Sequence, residues 1–160
     1  MARMHVGILS DTHGLLRAEV VEALAGVEHI LHAGDIGSTG ILAQLEAIAP
    51  VTAVWGNTDD LDVCSRVPEI AEVELGGVQV VVIHGHQLGS PTPAALATRY
   101  PDAGMVVFGH THTPLMERCG GVLAVNPGSV GPRRFKLPIS LALAVFEEGR
   151  VEVRLRTLTI

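Results

Sequence analysis

Two cysteines, few cations and no long apolar stretch set the first limits on this chain of 160 residues. Cys64 and Cys119 stand far apart with no CxxC spacing, which excludes a zinc ribbon and a redox pair and suits a reducing cytosol. Lys and Arg number 11 against 17 Asp and Glu, a net charge of -6, so the basic stripe needed for broad nucleic-acid binding is missing. No apolar run reaches the roughly 18 residues of a membrane helix, because Gly, Pro or a charged residue interrupts each candidate. The start, Met1-Ala2-Arg3-Met4-His5-Val6, runs into a strand-like segment and lacks a signal-peptide cleavage pattern. Low-complexity segments, internal repeats and domain linkers are also absent. These absences predict a cytoplasmic, non-membrane chain with residues 1–160 forming one domain.

What the sequence does hold is apolar: 48% of residues are hydrophobic and only 18% charged, as expected when a sheet is buried on both faces. Strands are predicted at Met4–Leu9, Val27–His32 and Val51–Trp55, alternating with helices at Leu15–Ala25 and Ser38–Ala49. Residues 58–68 read as an irregular connection closed by Pro68. Three hairpins follow: Ile70–Leu75 with Val78–Ile83 around Gly76-Gly77, Leu115–Cys119 with Val122–Val125 around Gly120-Gly121, and Ile139–Phe146 with Arg150–Leu158 around Glu148-Gly149. A short helix at Pro93–Tyr100 and a strand at Met105–Phe108 lie between the first two. The pattern predicts a two-sheet α/β sandwich, richer in antiparallel strands in its second half.

In open α/β sheets ligands bind beyond the carboxyl ends of the strands. The residues there are unusually uniform: Ser10-Asp11-Thr12-His13-Gly14, Gly34-Asp35, Gly56-Asn57-Thr58-Asp59, His84-Gly85-His86 and Gly109-His110-Thr111-His112. Mixed carboxylate and imidazole ligands suit Mn, Fe, Zn or Ni, whereas Mg or Ca sites favour oxygen alone. If these segments are extended, positions i and i+2 point the same way, pairing Asp11 with His13 and His110 with His112. Seven candidate ligands, Asp11, His13, Asp35, Asn57, His84, His110 and His112, are too many for one tetrahedral ion but enough for two. A metal pair about 3.5 to 4 Å apart activates water and clamps the oxygens of an in-line displacement at phosphorus.

The ordered set SDTHG, HAGD, GNTD, HGH, GHTH and NPGS resembles the calcineurin-like metallophosphoesterase superfamily, in particular its small bacterial and archaeal phosphodiesterase branch, over residues 8–132. The resemblance implies a four-layer αββα sandwich of two mixed sheets flanked by helices. It further implies a metal-dependent phosphoesterase, a phosphodiesterase foremost, in which a hydroxide bridging two divalent ions attacks phosphorus without a covalent protein intermediate. Asp11, His13, Asp35 and His112 match the family's first metal site, and Asp35, Asn57, His84 and His110 the second, with Asp35 the expected bridge. Mn is the expected ion, with Fe, Zn, Ni and Mg as alternatives.

Many members of the superfamily carry His where this chain has Thr58, and that His is taken to protonate the leaving group. A threonine hydroxyl is a poor proton donor near neutral pH, so assistance worth roughly 10²- to 10⁴-fold is absent here unless His86 or Asp59 substitutes. Asn57, Thr58 and His86 are therefore the catalytic candidates. Arg133, Arg134 and Asn126 are candidates for substrate contact, the arginines through bidentate bonds to phosphate. His5, His29 and His32 are assigned structural roles, Trp55 a place in the core, and Asp59 and Asp60 helix-capping or solvent-facing positions.

The expected partner is a small phosphoester, with nucleic acid disfavoured and homo-oligomerisation open. Two rivals stand beside the enzyme: a binding scaffold, since the superfamily includes a retromer subunit whose motif is altered at ligand positions, and a nuclease, against which the acidic charge argues.

Overall fold

The computed structural model describes residues 3–160. Its strands are β1 (Met4–Leu9), β2 (His29–His32), β3 (Val51–Ala53), β4 (Ile70–Leu75), β5 (Val78–Ile83), β6 (Met105–Val107), β7 (Leu115–Cys119), β8 (Val122–Asn126), β9 (Ser140–Glu147) and β10 (Arg150–Thr157). They form two five-stranded sheets, in the orders β10-β9-β1-β2-β3 and β4-β5-β6-β8-β7. Helices α1 (Ala18–Ala23) and α2 (Thr39–Glu46) belong to the first half, α3 (Leu61–Cys64) to the connection between sheets, and α4 (Pro93–Arg99) to the second.

Alternation within each strand divides its side chains between two layers. Val6 and Ile8 of β1 meet Val80, Val82, Met105, Val107 and Phe146 in a core between the sheets. On the outer side of the first sheet, Leu9 and Ile30 pack on Val20 of α1, on Leu24 just after it, and on Ile41, Leu42 and Leu45 of α2. On the outer side of the second, Val81, Ile83, Val106 and Phe108 pack on Leu96 of α4. The result is the αββα sandwich, and strands buried on both faces account for the high apolar content.

The register decides where the polar residues emerge. β1 runs parallel to β2 with Leu9 opposite His32, and β2 parallel to β3 with His32 opposite Ala53. In the second sheet β5, β6 and β8 are parallel, with Val82 opposite Val107 and Val107 opposite Val125. Chain leaving β1, β2, β3, β5 and β6 therefore exits at matched levels of each sheet. The three hairpins form as expected, and Gly149 N–H donates to Gly76 O at 2.7 Å, so the β9–β10 turn is bonded to the β4–β5 turn.

Several boundaries differ from the sequence expectation. The first helix begins at Ala18 because Arg17 is extended (φ -76°, ψ 148°). Residues 58–68 are not wholly irregular: Asp60 Oδ1 accepts from Val63 N–H and starts α3, so Asp60 is a cap. His86–Leu88 forms a 3-10 turn after β5.

Candidate metal centre

Asp11, Asp35, His84 and His112 are buried at the strand ends; His13 and His110 are partly exposed, and Asn57 is exposed. Two groups converge closely enough to share an ion: Asp11 with His13 and His112, and Asp11 with Asp35 and His84. Asp11 Oδ1 lies 3.2 Å from His112 Nε2 and 3.5 Å from His13 Nε2. Asp35 Oδ2 lies 3.1 Å from His84 Nε2 and 3.7 Å from His13 Nε2. The remaining pair of the expected seven also meets, His110 Nδ1 and Asn57 Oδ1 being 3.1 Å apart.

The expectation that Asp11 and His13, and likewise His110 and His112, pair along extended chain does not hold. Asp11 (φ 59°), His13 (φ 47°), Asp35 (φ 53°), His110 (φ 72°) and His112 (φ 61°) all lie in the left-handed region, which side chains other than Gly, Asn and Asp seldom adopt. Long-range bonds impose this. Asp11 N–H, His13 N–H and Gly14 N–H donate to the carbonyls of Gly34, Asp35 and Ile36, zipping the loop after β1 onto the loop after β2. Thr111 N–H donates to Gly109 O at 2.8 Å, closing the strained form of γ-turn about His110. Such strain, about 1 to 3 kcal/mol per residue, persists only where the surroundings over-determine it, and it gathers at functional sites.

A second layer of bonds fixes the ligand atoms. Ala33 O lies 2.7 Å from His84 Nδ1, so that nitrogen carries the proton and Nε2 is left with a free lone pair. Ser10 Oγ donates to Asp11 Oδ2 at 2.6 Å and His110 N–H to the same oxygen at 3.3 Å, leaving Oδ1 open. Thr58 N–H occupies Asp35 Oδ1 at 2.9 Å, leaving Oδ2 open.

Three residues that the sequence did not mark as site-building hold these loops. Asp59, assigned to capping or solvent or to proton donation, instead accepts from the N–H groups of Ile36 (3.1 Å), Gly37 (2.9 Å) and Gly56 (2.9 Å), clamping the loops after β2 and β3 together. His32, fully buried, accepts from Gly34 N–H through Nδ1; its Nε2 then donates to Thr12 Oγ1, which donates to Ile36 O. Ser129 Oγ donates to Asp11 O. Only their places within GNTD, HAGD and NPGS could have signalled them.

Electrostatics follow from this packing. Burial alone would raise the Asp11 carboxyl, but the close approach of the His112 and His13 rings and the charge of His84 overrule it and hold it far below the usual carboxylate range. Burial opposes ionisation of Asp35 as well, and His84 and Thr58 again reverse the sign. Asp11 raises His13 against desolvation, while for His84 the larger burial effect is overcome by Asp35 and Asp11. Desolvation lowers His86 and His110, helped in both by His84, and brings His32 down to about 4.

Asp11 Oδ1, His13 Nε2 and His84 Nε2 are buried without a hydrogen-bond partner, and Asp11 belongs both to the group with His13 and to the group with His84. Buried polar atoms are rarely left so, and a divalent cation in each group would satisfy them. Two glycines make room: a Cβ on Gly56 would overlap Asp35 Oδ1, and one on Gly109 would overlap Ser10 Oγ and approach Asp11 Oδ2 to 2.6 Å.

The other candidates fall in different places. Thr58 is exposed beside Asp35. The His86 ring lies 5.5 Å from His84, 6.4 Å from His110 and 5.8 Å from Trp55, and Trp55 packs against the outer core of the first sheet. Arg133 and Arg134 are exposed and line a hollow of about 270 Å³ with His13, His112 and Pro132. Asn126 is fully buried; it donates to Gly109 O and Thr111 Oγ1 and accepts from Gly128 N–H, fastening the His110–His112 loop. A larger hollow of about 430 Å³ beside β1 and β9, lined in part by His5, Gly26 and Glu152, contains none of the candidate ligands.

A two-sheet sandwich with carboxylates and imidazoles gathered at its strand ends defines a metal-dependent phosphoesterase, a hydrolase of phosphate esters. The chain belongs to the calcineurin-like phosphoesterase superfamily, whose domain model matches residues 4–149. It is 34% identical over 151 residues to a probable metallophosphoesterase of Methanothermobacter thermautotrophicus, covering 89% of this chain and 86% of the relative. Identity to a probable metallophosphoesterase of Methanocaldococcus jannaschii is 31% over 160 residues (95% and 80% covered), and to a phosphodiesterase of Escherichia coli 32% over 150 residues (79% of each). In fold it resembles a structure described as a novel archaeal phosphodiesterase (TM-score 0.74, 23% identity, 96% and 100% covered). It likewise resembles Vps29 of Entamoeba histolytica complexed with zinc (TM-score 0.75, 22% identity, 96% and 99% covered).

Proposed function

We propose that the chain is a phosphodiesterase with two divalent ions, Mn foremost, held by Asp11, His13, Asp35 and His112 on one side and by Asp35, Asn57, His84 and His110 on the other. The observation that carries this is a set of three unpartnered buried atoms, Asp11 Oδ1, His13 Nε2 and His84 Nε2, divided between two adjoining ligand groups that share Asp11. When bound, the two ions supply a hydroxide nucleophile at neutral pH and neutralise charge on the phosphoryl oxygens. Asp11 is common to both geometric groups, yet Asp35 is the better bridge. Its open Oδ2 faces His13 of one set and His84 of the other, whereas Asp11 offers only Oδ1, turned toward His112 and His13.

The chain's own groups divide the remaining work. Arg133 and Arg134, beside His13 and His112, are placed to receive the phosphate by charge-assisted bonds. Thr58 helps orient Asp35 through its backbone and offers no strong acid. His86, near His110, is the remaining candidate proton donor, although desolvation lowers it and so leaves it mostly neutral near pH 7. Good leaving groups should therefore react best.

A single domain is supported by the core shared between the sheets, and a cytoplasmic setting by two free cysteines. No helix among the described residues is long and apolar enough to cross a membrane. The expected substrate is a small phosphoester rather than nucleic acid, given the net charge of -6. The test is hydrolysis of bis(p-nitrophenyl) phosphate by Mn-loaded protein, alongside elemental analysis. Mn-dependent turnover is expected; protein that neither binds metal nor releases p-nitrophenolate would refute the reading.

A further inference from the structure

Phe135 is out of place in two respects. It is 90% exposed and joins none of the three hydrophobic clusters. Its φ is +53° at the first central position of a turn closed by Leu137 N–H on Arg134 O at 3.1 Å. Turns with positive φ there are ordinarily built on Gly, Asn or Asp. Neither solvent nor backbone favours a phenyl ring at this point, and the fold gains no packing from it. A local rule broken without compensation inside the protein points to something outside it.

The neighbourhood indicates what that is. Arg133 and Arg134 precede the ring and line the hollow with His13 and His112, and the charge of Arg134 reaches His13. Lys136 follows and is also exposed. Arg17 Nη2 donates to Gly131 O at 3.2 Å and Ser140 N–H to Ser129 O at 3.0 Å, pinning the start of the loop. A tight turn on a pinned base leaves the backbone that carries the ring little ordering entropy to lose.

We propose that Phe135 is a specificity-determining residue, the platform on which a planar aromatic substituent of the phosphoester stacks while Arg133 and Arg134 hold the phosphate. This rests on the phosphodiesterase reading above. The substrate class is thereby narrowed to diesters whose retained group carries an aromatic ring, a nucleobase or a simple aryl group.

The experiment uses three diesters that share p-nitrophenolate as leaving group and differ in the retained group: methyl, phenyl and thymidine 5′. Wild-type Mn-loaded protein should prefer phenyl or thymidine over methyl by roughly tenfold in kcat/KM, the scale of one stacking contact. Phe135→Ala should abolish that preference and Phe135→Tyr should restore it. A phenyl-to-thymidine ratio near one identifies any aryl group as sufficient, and a thymidine preference identifies a nucleoside. Phe135→Gly, which suits the turn, should leave Tm unchanged or raise it. Equal ratios in wild type and Phe135→Ala, or a lowered Tm in Phe135→Gly, would overturn the proposal. No turnover of any of the three diesters would instead remove the phosphodiesterase reading beneath it.

Discussion

Replacing Asp59 with alanine removes the shared acceptor of three backbone N–H groups, those of Ile36, Gly37 and Gly56. A hydrogen bond to a charged group contributes about 1.5 to 3 kcal/mol. The Gly37 bond is exposed and is discounted, because water replaces the carboxylate there. The two part-buried bonds at the low end of that range give a loss of about 3 kcal/mol. Asp59→Asn retains an acceptor oxygen and should lose roughly half as much. The clamp joins the loop bearing Asp35 to the loop bearing Asn57, so the same change should loosen the ion set they share. Removing a supporting contact of this kind weakens metal binding by about 10- to 100-fold. Urea denaturation of metal-free protein measures the first effect and calorimetric titration with Mn the second. If Asp59→Ala melts within about 0.5 kcal/mol of wild type, the ordinary range of surface substitutions, and binds both ions unchanged, the clamp is not what holds these loops.

Three further outcomes are expected. Gly109→Ala should abolish metal-dependent activity, checked by elemental analysis and turnover, because its Cβ would occupy the space of Ser10 Oγ beside Asp11. His32 has a folded-state pKa of about 4 against an ordinary 6.5, so the unfolded chain binds the extra proton between those values. Stability should be lost as pH is lowered from about 6.5 to about 4, by up to about 3 kcal/mol, and the difference profile against the non-titrating His32→Gln, from urea melts at each pH, isolates it. Thr58→His should leave good leaving groups nearly unaffected while accelerating alkyl esters by at least tenfold, read as a changed dependence of kcat/KM on leaving-group pKa.

The strands were legible because buried β-branched runs such as Val78–Ile83 carry their own signal, and hairpins because two-residue turns like Gly76-Gly77 are local. Sheet order was not legible. The pairing of β9 with β1, and of β8 with β6, joins segments whose proximity no short pattern encodes. Asp60 did cap a helix, yet four residues of helix leave too little periodicity to detect. The candidate ligands stood out because imidazoles and carboxylates follow apolar runs in a recognisable order. What supports them did not, since Asp59, His32 and Ser129 act through backbone groups brought near by tertiary folding. The extended pairing predicted for Asp11 with His13 failed for the same reason: bonds to the loop after β2 override local geometry.

The left-handed backbone at Asp11, His13, Asp35, His110 and His112 sets heat resistance and chemistry at odds along this chain. At each of those positions glycine would relax the main chain while deleting a liganding side chain. A population screened for thermal survival alone would be drawn toward glycine at those five places and would drift toward an inert shell of the same shape. Laboratory stabilisation of this scaffold therefore has to retain a turnover screen in every round.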